Sequence, residues 1–270
     1  MSKLRRLGEV AAQSASELLQ GALDLLLPPS CGACGTSTPA GEPLCARCDL
    51  RLERIAADAC TLCQAAPRSD GAERCAGCDR RGRGDPSARP ADSPLAACLA
   101  AVRFEGDAAD WMHRFKYPRP GLRALDPVPA AVVGAMLREA AARVPASTPD
   151  WIAPVPLHPR RLRERGFNPA CVLARRLARE HGVRCHPAAL RRIRDTPSQT
   201  GLDRSRRREN VRGAFEARVR VPARIWLVDD VVTTGSTLAE AALALRAAGA
   251  HSVIGLCAAR SLLDVPAPHR

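Results

Sequence analysis

Aromatic residues are scarce in this chain of 270 residues, because phenylalanine, tyrosine and tryptophan together make up only 3% of it. That scarcity argues against an extended surface of rings on which single-stranded bases could stack. Long apolar runs are also missing: no stretch of about eighteen apolar residues occurs, which excludes a membrane-spanning helix. The N-terminal residues begin basic and end apolar, but acidic and amide residues interrupt any signal-peptide core. We therefore expect a cytoplasmic protein.

Residues 1–28 carry apolar side chains at helical spacing, which predicts an amphipathic helix that ends at Pro28 and Pro29. We expect this helix to dock on the rest of the protein. A helix that lies on a membrane surface is the rarer alternative, because acidic residues dilute its polar face.

Lysine is nearly absent, since Lys3 and Lys116 are the only two, yet arginine brings the formal net charge to +13. That charge predicts attraction to polyanions such as phosphates, nucleotides or nucleic acid. The segment from His158 to Arg212 holds sixteen arginines against five acidic residues. A single pyrophosphate needs less positive charge than that, so single-stranded DNA stays a candidate partner.

Eight of the twelve cysteines form four pairs in which two residues separate the thiols. The pairs are Cys31 and Cys34, Cys45 and Cys48, Cys60 and Cys63, and Cys75 and Cys78. This spacing lets one tight turn aim two thiolates at a tetrahedral ion, so it predicts a double zinc ribbon with two structural zinc ions. A disulfide framework is the rival interpretation, but it requires secretion. Sequential pairing is simpler, and crossed pairing of the first and third pairs stays open.

The other four cysteines are predicted to be ordinary buried thiols. They are Cys98, Cys171, Cys185 and Cys257. After the last pair the chain becomes rich in Arg, Gly, Pro and Ser, as flexible linkers are. The sequence thus predicts a helix over 1–28, a double zinc ribbon over 29–80, a linker over 81–94 and a larger domain over 95–262.

The larger domain alternates strand-like and helix-like segments, which predicts a parallel sheet flanked by helices. The predicted strands are Ala100–Phe104, Trp151–Val155, Ile225–Val228 and Ser252–Ala258. The predicted helices are Ala108–Phe115, Leu122–Val144, Asn168–Glu180, with Asn168 as its N-cap, and Leu238–Ala248.

One stretch of this domain, IWLVDDVVTTGST, combines an apolar strand with polar groups at its end. Asp229 and Asp230 follow the strand, at the sheet edge where α/β folds bind ligands. The hydroxyl-rich loop from Thr233 to Thr237 leads into a helix, and such a loop can surround a phosphate. The two carboxylates suit a ribose diol or Mg²⁺. Together they predict a ribose 5-phosphate site.

The stretch VDDVVTTGST resembles the phosphoribosyl-pyrophosphate motif of type I phosphoribosyltransferases. Cysteine pairs, PVPLHPRRLRERGFN, QTGLDRSRRRENVRGAF and this motif follow one another in the order seen in the ComF family of competence-related proteins. HRFKYPRP is also similar to a segment of that family. The resemblance covers essentially the whole chain and implies a type I phosphoribosyltransferase-like domain behind a double zinc ribbon.

The resemblance also implies roles for particular residues. Phosphoribosyl pyrophosphate and Mg²⁺ would bind Asp229, Asp230, Val231, Thr233, Thr234, Gly235, Ser236 and Thr237. The residues implied to act in catalysis are Asp229, Asp230, Arg165 and Arg204. Arg160, Arg161, Arg163 and Arg165 follow the strand after which related transferases bind pyrophosphate, although a solvated basic loop is the plain alternative.

The polar segment from Arg191 to Gly213 would correspond to the mobile catalytic hood of these enzymes, with Gln199, Arg204, Arg207 and Asn210 as candidates, or its arginines would grip a nucleic-acid backbone. The family name implies a role in DNA uptake, with uptake proteins as partners. The alternative is an active phosphoribosyltransferase of nucleotide metabolism. No segment indicates the acceptor, and the oligomeric state stays open.

Overall fold

The computed structural model describes residues 29–69, 71–76, 78, 93–118, 127–144, 148–195 and 209–262. The chain divides between Arg51 and Leu52 into two compact units. This division falls between the second and third cysteine pairs. The helix predicted over 1–28 and most of the linker predicted over 81–94 lie outside the described residues.

The described residues of the smaller unit, 29–51, contain one short helix, α1, over Ala46–Asp49. The helices of the larger unit's described residues are α2 Gly106–Lys116, α3 Val128–Ala142, α4 Pro159–Arg165, α5 Pro169–Glu180 and α6 Ser236–Ala247. Its strands are β1 Ala97–Arg103, β2 Trp151–Pro154, β3 Arg184–Cys185, β4 Leu190–Arg192, β5 Phe215–Ala217, β6 Arg224–Val232 and β7 Ser252–Arg260.

Five strands form one parallel sheet in the order β1-β7-β6-β2-β3. Its central strand β6 has four consecutive buried residues from Ile225 to Val228, because helices cover both faces of such sheets. The antiparallel pair of β4 and β5 forms a second, small sheet. The predicted fold class, a parallel sheet flanked by helices behind cysteine clusters, is confirmed.

The start of α5 is as the sequence predicts. The Asn168 side-chain oxygen accepts a hydrogen bond from the Ala170 N–H at 3.1 Å, and its amide nitrogen donates to the Val155 carbonyl at 3.0 Å. The cap therefore also ties the helix to the end of β2, which fixes where the chain between them must turn.

Two differences from the predicted elements matter for the site. Strand β6 continues to Val232, so Asp229 and Asp230 lie within the last four residues of the strand and not after it. The basic stretch after β2, for which a loop was the plain alternative, forms helix α4. Its signals were present in the sequence: Pro159 stands at the first helical position, and Gly166 adopts the left-handed conformation that ends helices.

The chain around the third and fourth cysteine pairs is hydrogen-bonded directly to the sheet of the larger unit. The Thr61 carbonyl accepts a hydrogen bond from the Cys98 N–H of β1 at 2.7 Å. Arg260, at the end of β7, is 2% exposed and donates to the Gln64 side-chain oxygen at 2.9 Å and to the Cys98 carbonyl at 2.7 Å. This ribbon and the sheet therefore share a buried polar network.

Candidate functional site

The structure brings the eight paired cysteines together as two clusters. Their members are Cys31, Cys34, Cys45 and Cys48, and Cys60, Cys63, Cys75 and Cys78. Within each cluster the four sulfur atoms lie within 4.8 Å of one another. The cysteine pairs are therefore combined sequentially, which answers the question that the spacing left open.

The sulfur geometry fits zinc. The Cys34 and Cys45 sulfurs are 3.7 Å apart, and so are those of Cys63 and Cys75. Zinc–sulfur bonds of about 2.3 Å in a tetrahedron require sulfur atoms separated by roughly 3.8 Å. All four cysteines are used, so each cluster fits a closed, structural site with no position for water.

The thiols of the second cluster also perturb one another. Hydrogen bonds from the Cys63 and Cys78 thiols lower the pKa of Cys60, whereas the same contact with Cys60 raises the pKa of Cys78. Four thiolates at these distances repel one another unless a cation lies between them, which is the role that zinc performs. Of the remaining cysteines, Cys98 and Cys257 are buried as predicted, but Cys171 and Cys185 are only partly buried.

The two adjacent carboxylates lie near the carboxyl end of β6. Asp230 is 8% exposed, and Asp229 is partly buried. The Asp230 N–H donates to a carboxylate oxygen of Asp229 at 2.9 Å. Burial and the neighbouring charge of Asp230 raise the pKa of Asp229 to about 7, although that N–H and the cations Lys116 and Arg192 act in the opposite direction.

The loop after β6 forms the turn that the motif predicts. Gly235 has φ +76°, the left-handed region that favours glycine, and it is the N-cap of α6. The buried hydroxyls of Thr234 and Ser236 are 2.8 Å apart, and the Ser236 N–H donates to the Thr234 hydroxyl at 3.3 Å. Thr233 and Thr237 are half-buried beside them. A helix of twelve residues thus begins among hydroxyl groups, an arrangement suited to an anion.

Val231 lies in β6, paired with Ala259 of β7, and is half-buried. Val231 would therefore contribute to the predicted site through its backbone. The binding roles predicted for the residues from Asp229 to Thr237 stay predictions, now with defined geometry.

The predicted arginines that the structure describes, on helix α4, have different contacts. Arg165 ends α4, donates to the Tyr117 hydroxyl at 3.0 Å and holds its guanidinium 4.9 Å from the centre of that ring. Arg160 is exposed and pairs with Glu164 at 3.0 Å and Asp195 at 3.5 Å. Of the other candidates, Asn210 is half-buried, whereas Gln199, Arg204 and Arg207 lie outside the described residues.

Sequence reasoning missed two cations at the carboxylates. The Lys116 ammonium, at the end of α2, lies 2.9 Å from a carboxylate oxygen of Asp230. Arg192 on β4 is 7% exposed, with its guanidinium 5.5 Å from the ring centre of Phe215. Burial lowers the pKa of Arg192, as does the charge of Arg161, while Asp229 acts to raise it. Lys116 lies in the quoted stretch HRFKYPRP, but nothing in the sequence signals its contact with Asp230, and nothing signals Arg192.

Residues 22–79 match a family model described as a double zinc ribbon domain. Followed by a parallel α/β sheet, this ribbon defines the class of protein: a double zinc ribbon joined to a parallel α/β domain. The chain is 42% identical over 115 residues to DNA utilization protein YhgH of Escherichia coli O6:H1 and 38% identical over 109 residues to Competence protein F of Haemophilus influenzae. The resemblance to the ComF family is confirmed.

The similarity is partial in extent. The aligned residues are 42% of this chain and 51% of the Escherichia coli protein, and 39% of this chain and 48% of the Haemophilus protein. The chain therefore spans about half the length of the curated relatives that it matches. Among the described residues, no helix combines the length and apolar character that crossing a bilayer demands.

Two solved structures are also similar to part of the chain. One is a glutamine phosphoribosylpyrophosphate amidotransferase from B. subtilis complexed with ADP and GMP, at 22% identity and a TM-score of 0.36, covering 55% of this chain and 30% of that one. The other is described as the allosteric regulatory enzyme of purine biosynthesis, at 23% identity and a TM-score of 0.35, with the same coverage.

Proposed function

We propose that this protein binds phosphoribosyl pyrophosphate, or a related ribose 5-phosphate, together with Mg²⁺, and that it acts in the uptake or use of DNA. The observation that carries the binding half is the meeting of three features at one end of β6. Two carboxylates, a turn of buried hydroxyls and the start of a long helix follow one another within nine residues, Asp229 to Thr237.

Each feature suits a different part of the ligand. The hydroxyls and backbone N–H groups from Thr233 to Thr237 would bind the 5-phosphate, since anions are stabilised at helix N-termini. The carboxylates would accept hydrogen bonds from the ribose hydroxyls. Arg165 and Arg204 would neutralise the pyrophosphate, as guanidinium groups bind phosphates in a bidentate manner.

The donor set also fits Mg²⁺, which binds one or two carboxylates and substrate phosphates while keeping several waters. Asp229 and Asp230 would hold it. When bound, the ion would supply positive charge beside the pyrophosphate.

The DNA half of the proposal is supported by the names of the relatives and by charge. One relative is named for DNA utilization and another for competence, and the segment from His158 to Arg212 is strongly basic. Single-stranded DNA and DNA-uptake proteins are the proposed partners. The proposed compartment is the cytoplasm, where the cysteine clusters stay reduced and can hold zinc.

Active phosphoribosyl transfer in nucleotide metabolism is the second candidate function. The raised pKa of Asp229, to about 7, favours it, because strongly perturbed carboxyl groups concentrate at catalytic sites.

Calorimetric titration of the zinc-loaded chain with phosphoribosyl pyrophosphate and Mg²⁺ tests the binding half. We expect the double variant Asp229→Asn, Asp230→Asn to lose binding by at least about a hundredfold, the order expected when ligand and metal contacts disappear together. Asp110→Asn, on the exposed side of α2, is the matched control and should bind like the wild type. Absence of binding by the folded wild type would remove both the ligand and the transferase from consideration.

A second measurement tests the DNA half. We expect the affinity for single-stranded DNA to fall steeply as salt rises, because binding through arginine releases counterions from the phosphates. Unchanged DNA uptake and DNA utilization in a strain without the gene would contradict the cellular role.

A further inference from the structure

The cation that pairs with Asp230 is a lysine, a rare residue in this chain. Lys116 is one of two lysines in 270 residues, and it stands at the last position of α2, where a cation complements the helix carbonyls. Its ammonium lies 2.9 Å from the Asp230 carboxylate, with the two side chains 22% and 12% exposed. This pair is more buried than the arginine–carboxylate pairs among the described residues.

The residue that follows Lys116 contacts a second residue of the proposed site. Tyr117, the only tyrosine of the chain, accepts a hydrogen bond from Arg165 and lies under its guanidinium. Lys116 and Tyr117 therefore contact, respectively, the carboxylate proposed for the metal and the arginine proposed for the pyrophosphate. Binding of the metal or of the pyrophosphate would therefore change the contacts of these two residues.

An ammonium and a divalent cation compete for the same oxygen. Mg²⁺ and Mn²⁺ bind carboxylate oxygens at about 2.1 Å, inside the distance at which the Lys116 nitrogen lies. Two cations so close on one carboxylate repel each other strongly in a site that is shielded from water. Metal can therefore bind Asp230 fully only when the ammonium moves away from it.

We propose that Lys116 is a positioning residue that competes with the divalent cation for Asp230, so that metal alone binds weakly and binds well only with the phosphorylated sugar. The anionic oxygens of that ligand offer the displaced ammonium a new partner. The inference rests on the proposed function in one respect, namely that Asp230 is a ligand of the metal.

Binding of Mn²⁺ alone to the zinc-loaded full-length chain, followed by electron paramagnetic resonance, tests the competition. Lys116→Met keeps the apolar stem and removes the charge, and we expect it to bind Mn²⁺ about tenfold more tightly than the wild type, within the usual range of site-to-site coupling. Lys116→Arg keeps a cation at the position and should stay within about twofold of the wild type, again well below such coupling. Lys3→Met removes the same charge elsewhere and should also be unchanged.

Two results would overturn the proposal. One is an Mn²⁺ affinity of Lys116→Met no tighter than that of the wild type, in protein whose tryptophan-monitored melting shows that it is folded. The other is a gain that persists when Asp230→Asn is added, because the metal would then lie elsewhere. A folded wild type that binds no phosphoribosyl pyrophosphate, beside a Lys116→Met variant that does gain Mn²⁺ affinity, would instead sink the proposed function and leave the competition standing.

Discussion

Replacing Gln64 by glycine should destabilise the larger unit although the change relieves backbone strain. Gln64 follows the second thiol of its pair and has φ +54°, the one non-glycine residue with positive φ among those that the structure describes. The corresponding residue of the first ribbon is Gly35, with φ +76°. In both turns the N–H of this residue donates to the carbonyl of the first cysteine. The two turns are alike, so what distinguishes Gln64 from Gly35 is the side chain.

That side chain makes three buried hydrogen bonds. Its oxygen accepts from the Ala100 N–H at 2.8 Å and from Arg260 at 2.9 Å, and its nitrogen donates to the Ala100 carbonyl at 2.9 Å. Each buried polar group left without a partner costs about 1 to 3 kcal/mol, whereas glycine relieves about 1 kcal/mol of strain. Because Arg260 keeps its hydrogen bond to the Cys98 carbonyl, we expect Gln64→Gly to lower the free energy of unfolding by about 3 kcal/mol.

Urea unfolding of the zinc-loaded chain, followed by tryptophan fluorescence, measures this change directly. All three tryptophans, Trp111, Trp151 and Trp226, lie in the larger unit and so report on its unfolding. Gln64→Glu is the informative companion, because it keeps an acceptor for Arg260 and for the Ala100 N–H and should lose less stability. A Gln64→Gly variant as stable as the wild type would refute the idea that these contacts outweigh the strain.

Two further predictions concern the carboxylates and the zinc. The pKa of Asp229 is raised to about 7, so the folded state keeps its proton while the unfolded chain loses it, and stability falls as pH rises from about 4 to about 7. Asp229→Asn should therefore gain about 2 kcal/mol relative to the wild type between pH 5.5 and pH 8 in urea unfolding without Mg²⁺, and an equal difference at both pH values would contradict this. Cys75→Ser should bind one zinc ion fewer and lower the melting temperature of the larger unit, whereas Cys171→Ser, outside both clusters, should keep full zinc content by elemental analysis.

Much of the fold was predictable because it depends on local patterns. Cysteine spacing gave the two clusters, the apolar run before Asp229 predicted a buried strand, and Asn168 predicted the start of a helix. Helix α4 could have been predicted from Pro159 and Gly166, but the charge of the intervening residues pointed to ligand binding, with a solvated loop as the plain alternative. In each case the signal comes from residues that are close to one another in the sequence.

The cations at the site could not be predicted, since they reach it through tertiary packing. Arg192 lies on a three-residue strand that exists only because it pairs with β5, more than twenty residues later. Lys116 reaches Asp230 across 114 positions of sequence, the difference of their residue numbers. No periodicity or spacing encodes such contacts, and a single sequence therefore identified the carboxylates but not the groups that neutralise them.

The extension of β6 through Val232 changes how the two carboxylates can act. Successive side chains of a strand point to opposite faces of the sheet, so Asp229 and Asp230 leave the strand on opposite faces and could share one ion only beyond its carboxyl end. Asp230 meets Lys116 from helix α2, whereas Asp229 is the carboxylate whose charge acts on Arg192 of β4. The charge of Lys116 also acts on Asp229, so the two carboxylates share that cation. A ligand that contacts both carboxylates must therefore bind beyond the carboxyl end of β6, where the turn at Gly235 begins.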